Sequence, residues 1–391
     1  MSSIIKLAED TISKEELDAL AEWIKGGSQL TKGPLTREFE KHFAAFVGSK
    51  YAVMVNSGSS ANLLMAYSLL SAGYLKIKKV VVPAVSWITT LAPFIQLGFE
   101  CCLCDADPNN LGLNVKHLEE LCEKHKPSLI ILVHVLGHLN NMAEINRICK
   151  KYEVLLIEDA CEALGTTYNG KQAGNMTLCG SFSFYYGHHI STIEGGAVIT
   201  NDRSLYNVMM SIRSHGWARD IEEDIHEKWK SGFNIDDFRE FYSFYHFGYN
   251  LRSSDLNAFL GITQVKKLNL IVKRRQENYL WYKKYLGEKF YCQESDYDVL
   301  SSFAYSTFVK NRLEVYHHLI NSGIEIRPLI CGSMGRQPAW IKKYGELTLP
   351  MADIVHDYGL YLPNHLRITE EKIKYICDKL KEVAIPILPL L

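Results

Sequence analysis

The chain lacks any apolar run approaching the roughly 20 residues that a membrane-spanning helix needs. Its start, Met1 to Asp10, lacks the hydrophobic stretch of a secretory signal. A cytoplasmic protein without a bilayer span is therefore expected. Charge of one sign is also missing: 43 Lys and Arg stand against 44 Asp and Glu, a formal net charge of -1. That balance gives no electrostatic reason to expect nucleic acid or an anionic membrane as partner. The ten cysteines are scattered, and the one close group, Cys101-Cys102-Leu103-Cys104, lies in an apolar, strand-like stretch. A metal or cluster site needs thiols gathered on loops at ligand spacing, so no metal is expected and reduced, buried thiols are. Internal repeats and low-complexity tracts are absent. So is lysine, for the whole stretch between Lys171 and Lys228.

What is present is an ordinary globular composition, 47% hydrophobic and 22% charged over 391 residues, enough for one large and one small domain. Ser13 to Ile24 begins like a capping box and carries helical apolar spacing, and Thr36 to Val47 reads as a second amphipathic helix closed by Gly48. Short apolar strands then alternate with helices. The strands are Tyr51 to Val55, Val80 to Val82, Glu100 to Cys104, Leu129 to Val133 and Val154 to Ile157. The helices are Ser60 to Leu70, Thr89 to Leu97, Val115 to His125 and Met142 to Tyr152. Such alternation predicts an α/β fold with a mostly parallel sheet covered on both faces, its sites on loops beyond the strands' carboxyl ends. Trp217 to His246 has no clean period and reads as an irregular insertion or partner-contacting loop. A helix is expected from Asp255 to Ile271 and another from Arg275 to Leu286. The division placed on this pattern is 1–247 for the large domain and 248–391 for a smaller C-terminal α/β domain.

Several segments carry side chains suited to chemistry. Asn56 to Asn62 joins a strand to a helix through small residues, where backbone N–H groups can cradle a phosphate or simply make a capped turn. Trp87, at the end of another strand, can stack on an aromatic ring or fill a core. Asp159 and Glu162 follow an apolar strand. A carboxylate there can hold a pyridine nitrogen protonated, or act as a helix cap. Ser181 and Ser183 share one face of an alternating strand. Next come His188 and His189, and in an extended stretch adjacent side chains point opposite ways, so at most one would face a given pocket. A neutral imidazole suits repeated proton transfer.

In order and spacing these segments resemble the sugar aminotransferases often named after their DegT and StrS members. The resemblance runs from about Leu30 to the C-terminus. It includes Thr31 to Thr36, Ser57-Gly58-Ser59, Glu158-Asp159, Ser181 to Phe184, Glu194-Gly195-Gly196, Gly248-Tyr249-Asn250 and Gly359 to Pro363. It implies the aspartate-aminotransferase-like fold (fold type I) and the cofactor pyridoxal 5'-phosphate, with pyridoxamine 5'-phosphate as its aminated form. By resemblance Gly58, Ser59 and Ser183 would hold the cofactor phosphate. Trp87 would lie against the ring, Asp159 would bind its nitrogen, and Glu162 would face the same pocket. Asn250 would reach the phosphate held by a neighbouring subunit, which implies a homodimer with shared sites.

Most of that family holds the cofactor on a lysine eight residues before the second Gly of Glu194-Gly195-Gly196, and here that position is His188. Histidine moves protons but forms no Schiff base. His188, with Tyr185, Glu162 and His215-Gly216-Trp217, resembles the histidine-bearing branch that removes the C3 hydroxyl of nucleotide-linked 4-keto-6-deoxysugars. That implies a nucleotide-sugar substrate, GDP-4-keto-6-deoxymannose foremost, glutamate as amino donor, and release of ammonia. An iron–sulfur cluster is not expected, because the extra cysteine segment of a related cluster-bearing enzyme is absent. Ser333 stands where many relatives carry Asn, which leaves the sugar and nucleotide open. A sugar aminotransferase with another lysine, and a non-catalytic nucleotide-sugar-binding regulator, are the alternatives.

Overall fold

The computed structural model describes residues 4–27 and 29–389. Its centre is a seven-stranded sheet built from β1 (Tyr51–Val55), β2 (Lys79–Pro83), β3 (Glu100–Cys104), β4 (Leu129–Val133), β5 (Leu155–Asp159), β8 (Cys179–Ser183) and β9 (Gly196–Thr200). Between β5 and β8 a small hairpin, β6 (Thr167–Tyr168) and β7 (Lys171–Gln172), stands apart from it. The sheet order is β1-β9-β8-β5-β4-β2-β3, parallel except for β9, which runs antiparallel to both neighbours. β4 is buried at all five positions, as expected of a central parallel strand with helices on both faces. The carboxyl ends of β5 and β8 lie side by side, with Asp159 paired to Ser181. A smaller sheet of β10 (Tyr305–Phe308), β11 (Arg327–Pro328) and β12 (Gly359–Leu362) forms the second unit.

The helices follow the sequence closely where a cap marks them. Ser13 and Glu16 form the reciprocal capping box that opens Lys14–Lys25. Pro34 starts the next helix and Gly48, at φ 73°, closes it. Two expectations change. The helices expected at Asp255 to Ile271 and Arg275 to Leu286 are one helix, Asp255–Leu286, of 32 residues. No Gly or Pro interrupts Val272 to Arg275, so nothing breaks the backbone ladder there. The insertion after Trp217 is only partly irregular, because Glu223–Gly232 is helical although it buries no residue.

The long helix joins the units. At its start the Asp255 carboxylate accepts hydrogen bonds from the Gly33 N–H (2.7 Å), the Thr36 N–H (2.9 Å) and the Thr36 hydroxyl (2.6 Å). Further along, Tyr279, Tyr282 and Leu286 pack in the core of the small sheet with Ile5. Ile5 itself bridges Ile324, just ahead of β11. Among the described residues no helix is long and apolar enough to cross a membrane.

Candidate functional site

The site is assembled where β5 and β8 end against the start of the Gly58–Ser71 helix. Asp159, the last residue of β5, is 5% exposed. One carboxylate oxygen accepts from Asn62 Nδ2 and from Thr90 Oγ1, each at 2.8 Å. The other accepts from the Cys161 N–H at 3.2 Å. Asn62 is oriented in turn by Ser181, whose hydroxyl donates to its Oδ1 at 2.6 Å. The carboxylate is thereby fixed in direction by side chains of two helices and the backbone just after β5, with Ser181 of β8 behind Asn62.

Ser57 caps the Gly58–Ser71 helix through its hydroxyl, and the first N–H groups of any helix lack partners within it. Ser183 ends β8 directly beside that helix start. A side chain at position 58 would put its Cβ 2.6 Å from the Ser183 Cβ, and one at position 196 would meet the Ser57 carbonyl carbon at 2.5 Å. Glycine is needed at both positions because the strands and the helix start press together. Ser59 turns its hydroxyl to Thr89 Oγ1, 3.0 Å away. Trp87 caps the Ile88–Gln96 helix, one turn before Thr90, and is 58% exposed.

His188 and His189 lie on a turn rather than the extended stretch the sequence led us to expect. Gly187 has φ 91° and the His188 N–H donates to the Tyr185 carbonyl at 3.1 Å. The segment closes on itself where Phe184 N–H meets the Gly195 carbonyl at 2.9 Å. The two rings still part company. His188 Nδ1 pairs with the Cys161 carbonyl at 2.9 Å, which makes Nδ1 the protonated nitrogen and leaves Nε2 with its lone pair. His189 is buried and pairs through Nε2 with the Ser301 carbonyl at 3.0 Å. Burial pushes His188 down to about 4, helped by the charge of Arg275 and opposed by the Cys161 carbonyl and Asp159. Burial likewise holds His189 well below the usual histidine range.

Glu162 accepts the Leu136 N–H at 2.8 Å. Burial pushes its carboxyl up to about 8; the Leu136 bond opposes that and the nearby Asp159 adds to it. Tyr361 and Cys331, from the small unit, feel the same carboxyl. No lysine hydrogen-bonds to Asp159, Glu162 or His188 among the described residues.

Asp159, Glu162, His188, Ser183, Gly58 and Ser59 thus gather around the β5 and β8 ends, with Trp87 at the rim. Asn250 does not join them within the chain. It is exposed, accepts from Arg252 Nε at 3.1 Å, and lines a separate cavity of about 550 Å³ with Lys32, Asn56, Glu194, Arg219 and Arg252. Ser333 is fully buried, with its backbone bridged to Val85, so its side chain does not line an open surface. Sequence reasoning missed Asn62, Thr90 and Arg275. Asn62 had a signal, a lone amide inside the apolar run Ala61 to Ala66.

A model of the DegT/DnrJ/EryC1/StrS aminotransferase family matches residues 10–381. A GDP-4-keto-6-deoxy-D-mannose 3-dehydratase of Yersinia pseudotuberculosis is 35% identical over 390 residues, covering 96% of this chain and 98% of that one. Among solved structures, a GDP-4-keto-6-deoxymannose-3-dehydratase with a trapped PLP-glutamate geminal diamine superposes with a TM-score of 0.87 at 32% identity. It covers 96% of this chain and 100% of its own. An E. coli GDP-4-keto-6-deoxy-D-mannose-3-dehydratase with bound hydrated PLP gives 0.88 at 32% identity, over 97% and 100% of the two chains.

Proposed function

The chain belongs to the DegT/DnrJ/EryC1/StrS aminotransferase family and has its fold, and from that premise we propose that it is a 3-dehydratase of a nucleotide-linked 4-keto-6-deoxysugar. The substrate is GDP-4-keto-6-deoxymannose, and glutamate is the amino donor, in line with what the relatives' names and bound groups record. The observation that carries this reading is His188, set on a closed turn with Nδ1 engaged and Nε2 free, in a site without lysine.

The residues present fit pyridoxal phosphate. Gly58 and Ser183 are pressed together at a helix start that offers N–H donors, a cradle that a single Cβ would fill. Asp159 is a buried carboxylate aimed by two donors on one oxygen, suited to a protonated ring nitrogen. When bound, that cofactor supplies an electron sink for the charge left by removal of a proton beside its ring. The chain does the rest. Gly58, Ser59 and Ser183 would hold the phosphate, Trp87 would cover the ring, and Asp159 would keep its nitrogen protonated. Glu162 presents a neutral carboxylic acid to the pocket at neutral pH. His188 Nε2 accepts a proton and returns one to the departing C3 hydroxyl, acting as base and then acid. With no lysine to recapture the cofactor, glutamate and the sugar give 2-oxoglutarate, ammonia and a 4-keto-3,6-dideoxysugar, the donor's oxidation balancing the loss of the C3 oxygen.

We further place two chains together as a homodimer in the cytoplasm, with Asn250 serving the partner's site. Its exposure in a cavity lined by Lys32, Arg219 and Arg252, with Glu194 and Asp220, supports that placement. The decisive experiment is mass spectrometry of products after incubation with pyridoxal phosphate, glutamate and GDP-4-keto-6-deoxymannose. A 4-keto-3,6-dideoxysugar with free ammonia is expected. A 4-amino sugar would overturn the reading.

A further inference from the structure

Arg275 lies midway along Asp255–Leu286 and is 2% exposed. Its guanidinium donates to the carbonyls of Ser302, Phe303 and Asn364, and through Nη2 to the carbonyl of His188 at 3.3 Å. All four partners are neutral. No carboxylate pairs with it among the described residues, and its Nε has no partner there. Burying a cation without an acid is costly, and a fold that tolerates it invites a functional reason. Burial pulls the guanidinium down to about 9, which still leaves it charged at neutral pH.

The surroundings join this cation to the catalytic turn. Phe303 is a shared wall: its ring centroid is 5.1 Å from that of His188 and 6.1 Å from that of His189, and the guanidinium lies 5.7 Å from it. Asn364 donates to the Arg275 carbonyl (3.1 Å) and the Ser302 carbonyl (2.9 Å), and is itself held by Asn278. His189 is anchored on Ser301. The segment Ser301 to Phe303 therefore buttresses both histidines, with Arg275 as its fastening.

We propose that Arg275 is a positioning residue for the reaction: it clamps the His188 turn to the Ser301–Phe303 segment and, as a fixed cation without a counter-acid, keeps the imidazole neutral and ready to accept a proton. This rests on the reading of His188 as the proton carrier. The charged and titratable groups facing His188 are few. Asp159, from β5, favours the protonated ring, and Arg275, from the long helix, disfavours it. His189, on the same turn, is neutral and carbonyl-bound. The Cys161 thiol is held in its neutral form by burial, and its carbonyl takes the Nδ1 proton. His365, from the small unit, is neutral through burial and faces Arg275. Arg275 is thus the one group of this set that acts by charge against protonation.

The test is a titration of the holoenzyme carrying ¹³C-labelled histidine rings, the His188 signal being the one missing from His188→Asn. In Arg275→Met the midpoint should rise by about one pH unit. Arg275→Gln, which keeps hydrogen-bonding capacity without charge, gives the same reading if the Met variant does not fold. Arg275→Lys keeps a charge but loses the fork. It should leave the midpoint near that of the parent while kcat falls about tenfold at unchanged KM. An unmoved midpoint in the uncharged variants, or parental kcat in Arg275→Lys, overturns the proposal. Failure of the proton-carrier reading is distinguishable, since it would appear as turnover by His188→Asn while the His188 midpoint still rises in the uncharged Arg275 variants.

Discussion

The turn at 184–196, which carries His188, and the stretch at 217–249, the insertion with the three residues after it, follow one another closely in sequence and are built in opposite ways. In the turn, the backbone closes on itself, both imidazoles rest on carbonyls, and Ile190, Ser191 and Thr192 are buried. The insertion holds together by surface contacts, such as Arg219 stacked 4.1 Å over Trp217 and 4.8 Å over Phe241. Its helix buries nothing, and Phe238 and Phe247 are 91% and 93% exposed. The first region has its histidines and much of its backbone fastened within one chain, although Tyr185, Tyr186 and Ile193 stay partly in water. The second has apolar area that one chain leaves in water, as expected of a surface made for a partner. The His188 turn is thus fastened within the protomer, whereas the insertion leaves its larger rings open.

The strongest way to sharpen that contrast is to remove the group that the turn exists to hold. His188→Asn should lower turnover by about 10²- to 10⁴-fold while the cofactor's absorption spectrum stays that of the parent. Steady-state rates and spectra on one preparation check both halves. Turnover at the parental rate would take His188 out of the mechanism.

Next in size is an added methyl where the cradle is tightest. Gly58→Ala would force its Cβ to within 2.6 Å of the Ser183 Cβ, with the Ser183 Cα at 3.2 Å. Because one of those atoms is backbone, the strand or the helix start must shift. The expected cost is about 1–3 kcal/mol in stability, with weaker cofactor binding, by thermal denaturation and cofactor titration. Unchanged affinity would mean that the phosphate lies elsewhere.

Legibility in the sequence divides along the same line. Capped helices and apolar strands were readable because their causes are local: the Ser13 and Glu16 capping box, Gly48 at a helix end, the five apolar residues of β4. Asp159 at a strand end was readable for the same reason, but its orientation was not. Asn62 and Thr90 lie 97 and 69 residues away from it and meet it only through the fold. Arg275 was invisible as a site residue because its partners are backbone carbonyls, which carry no sequence signal. The break expected between Ile271 and Arg275 is absent, because Lys273 is exposed and Arg274 half-buried, positions at which a long helix tolerates charge.

A smaller effect separates the pocket's electrostatics from its packing. Unfolded, Glu162 titrates near its ordinary 4.5; folded, burial raises it to about 8. The folded state therefore holds the extra proton between those values. Its contribution to stability is fully present below the lower value and is lost as pH rises through the upper one. Glu162→Gln cannot ionise, so the thermal midpoint of the variant should gain on the parent between about pH 5 and about pH 8 and stay level above that. A constant difference across that range would mean that Glu162 is not held neutral.

The smallest expected effect on the protomer tests the border directly. Phe238→Ser and Phe247→Ser remove rings that are 91% and 93% exposed. Within one chain these rings protect almost nothing, so protomer stability should change by no more than about 0.5 kcal/mol. A core ring such as Phe43, fully buried between Phe39, Phe182 and Phe184, would by contrast cost about 3–5 kcal/mol on truncation to Ala. If the insertion faces a second copy, the two Ser variants should instead shift the monomer–dimer equilibrium, read by sedimentation across a dilution series, and lower activity in step with dimer loss. Dimers of parental strength would mean that these rings meet something other than a second chain. A large loss of protomer stability would mean that the insertion is finished within one chain after all.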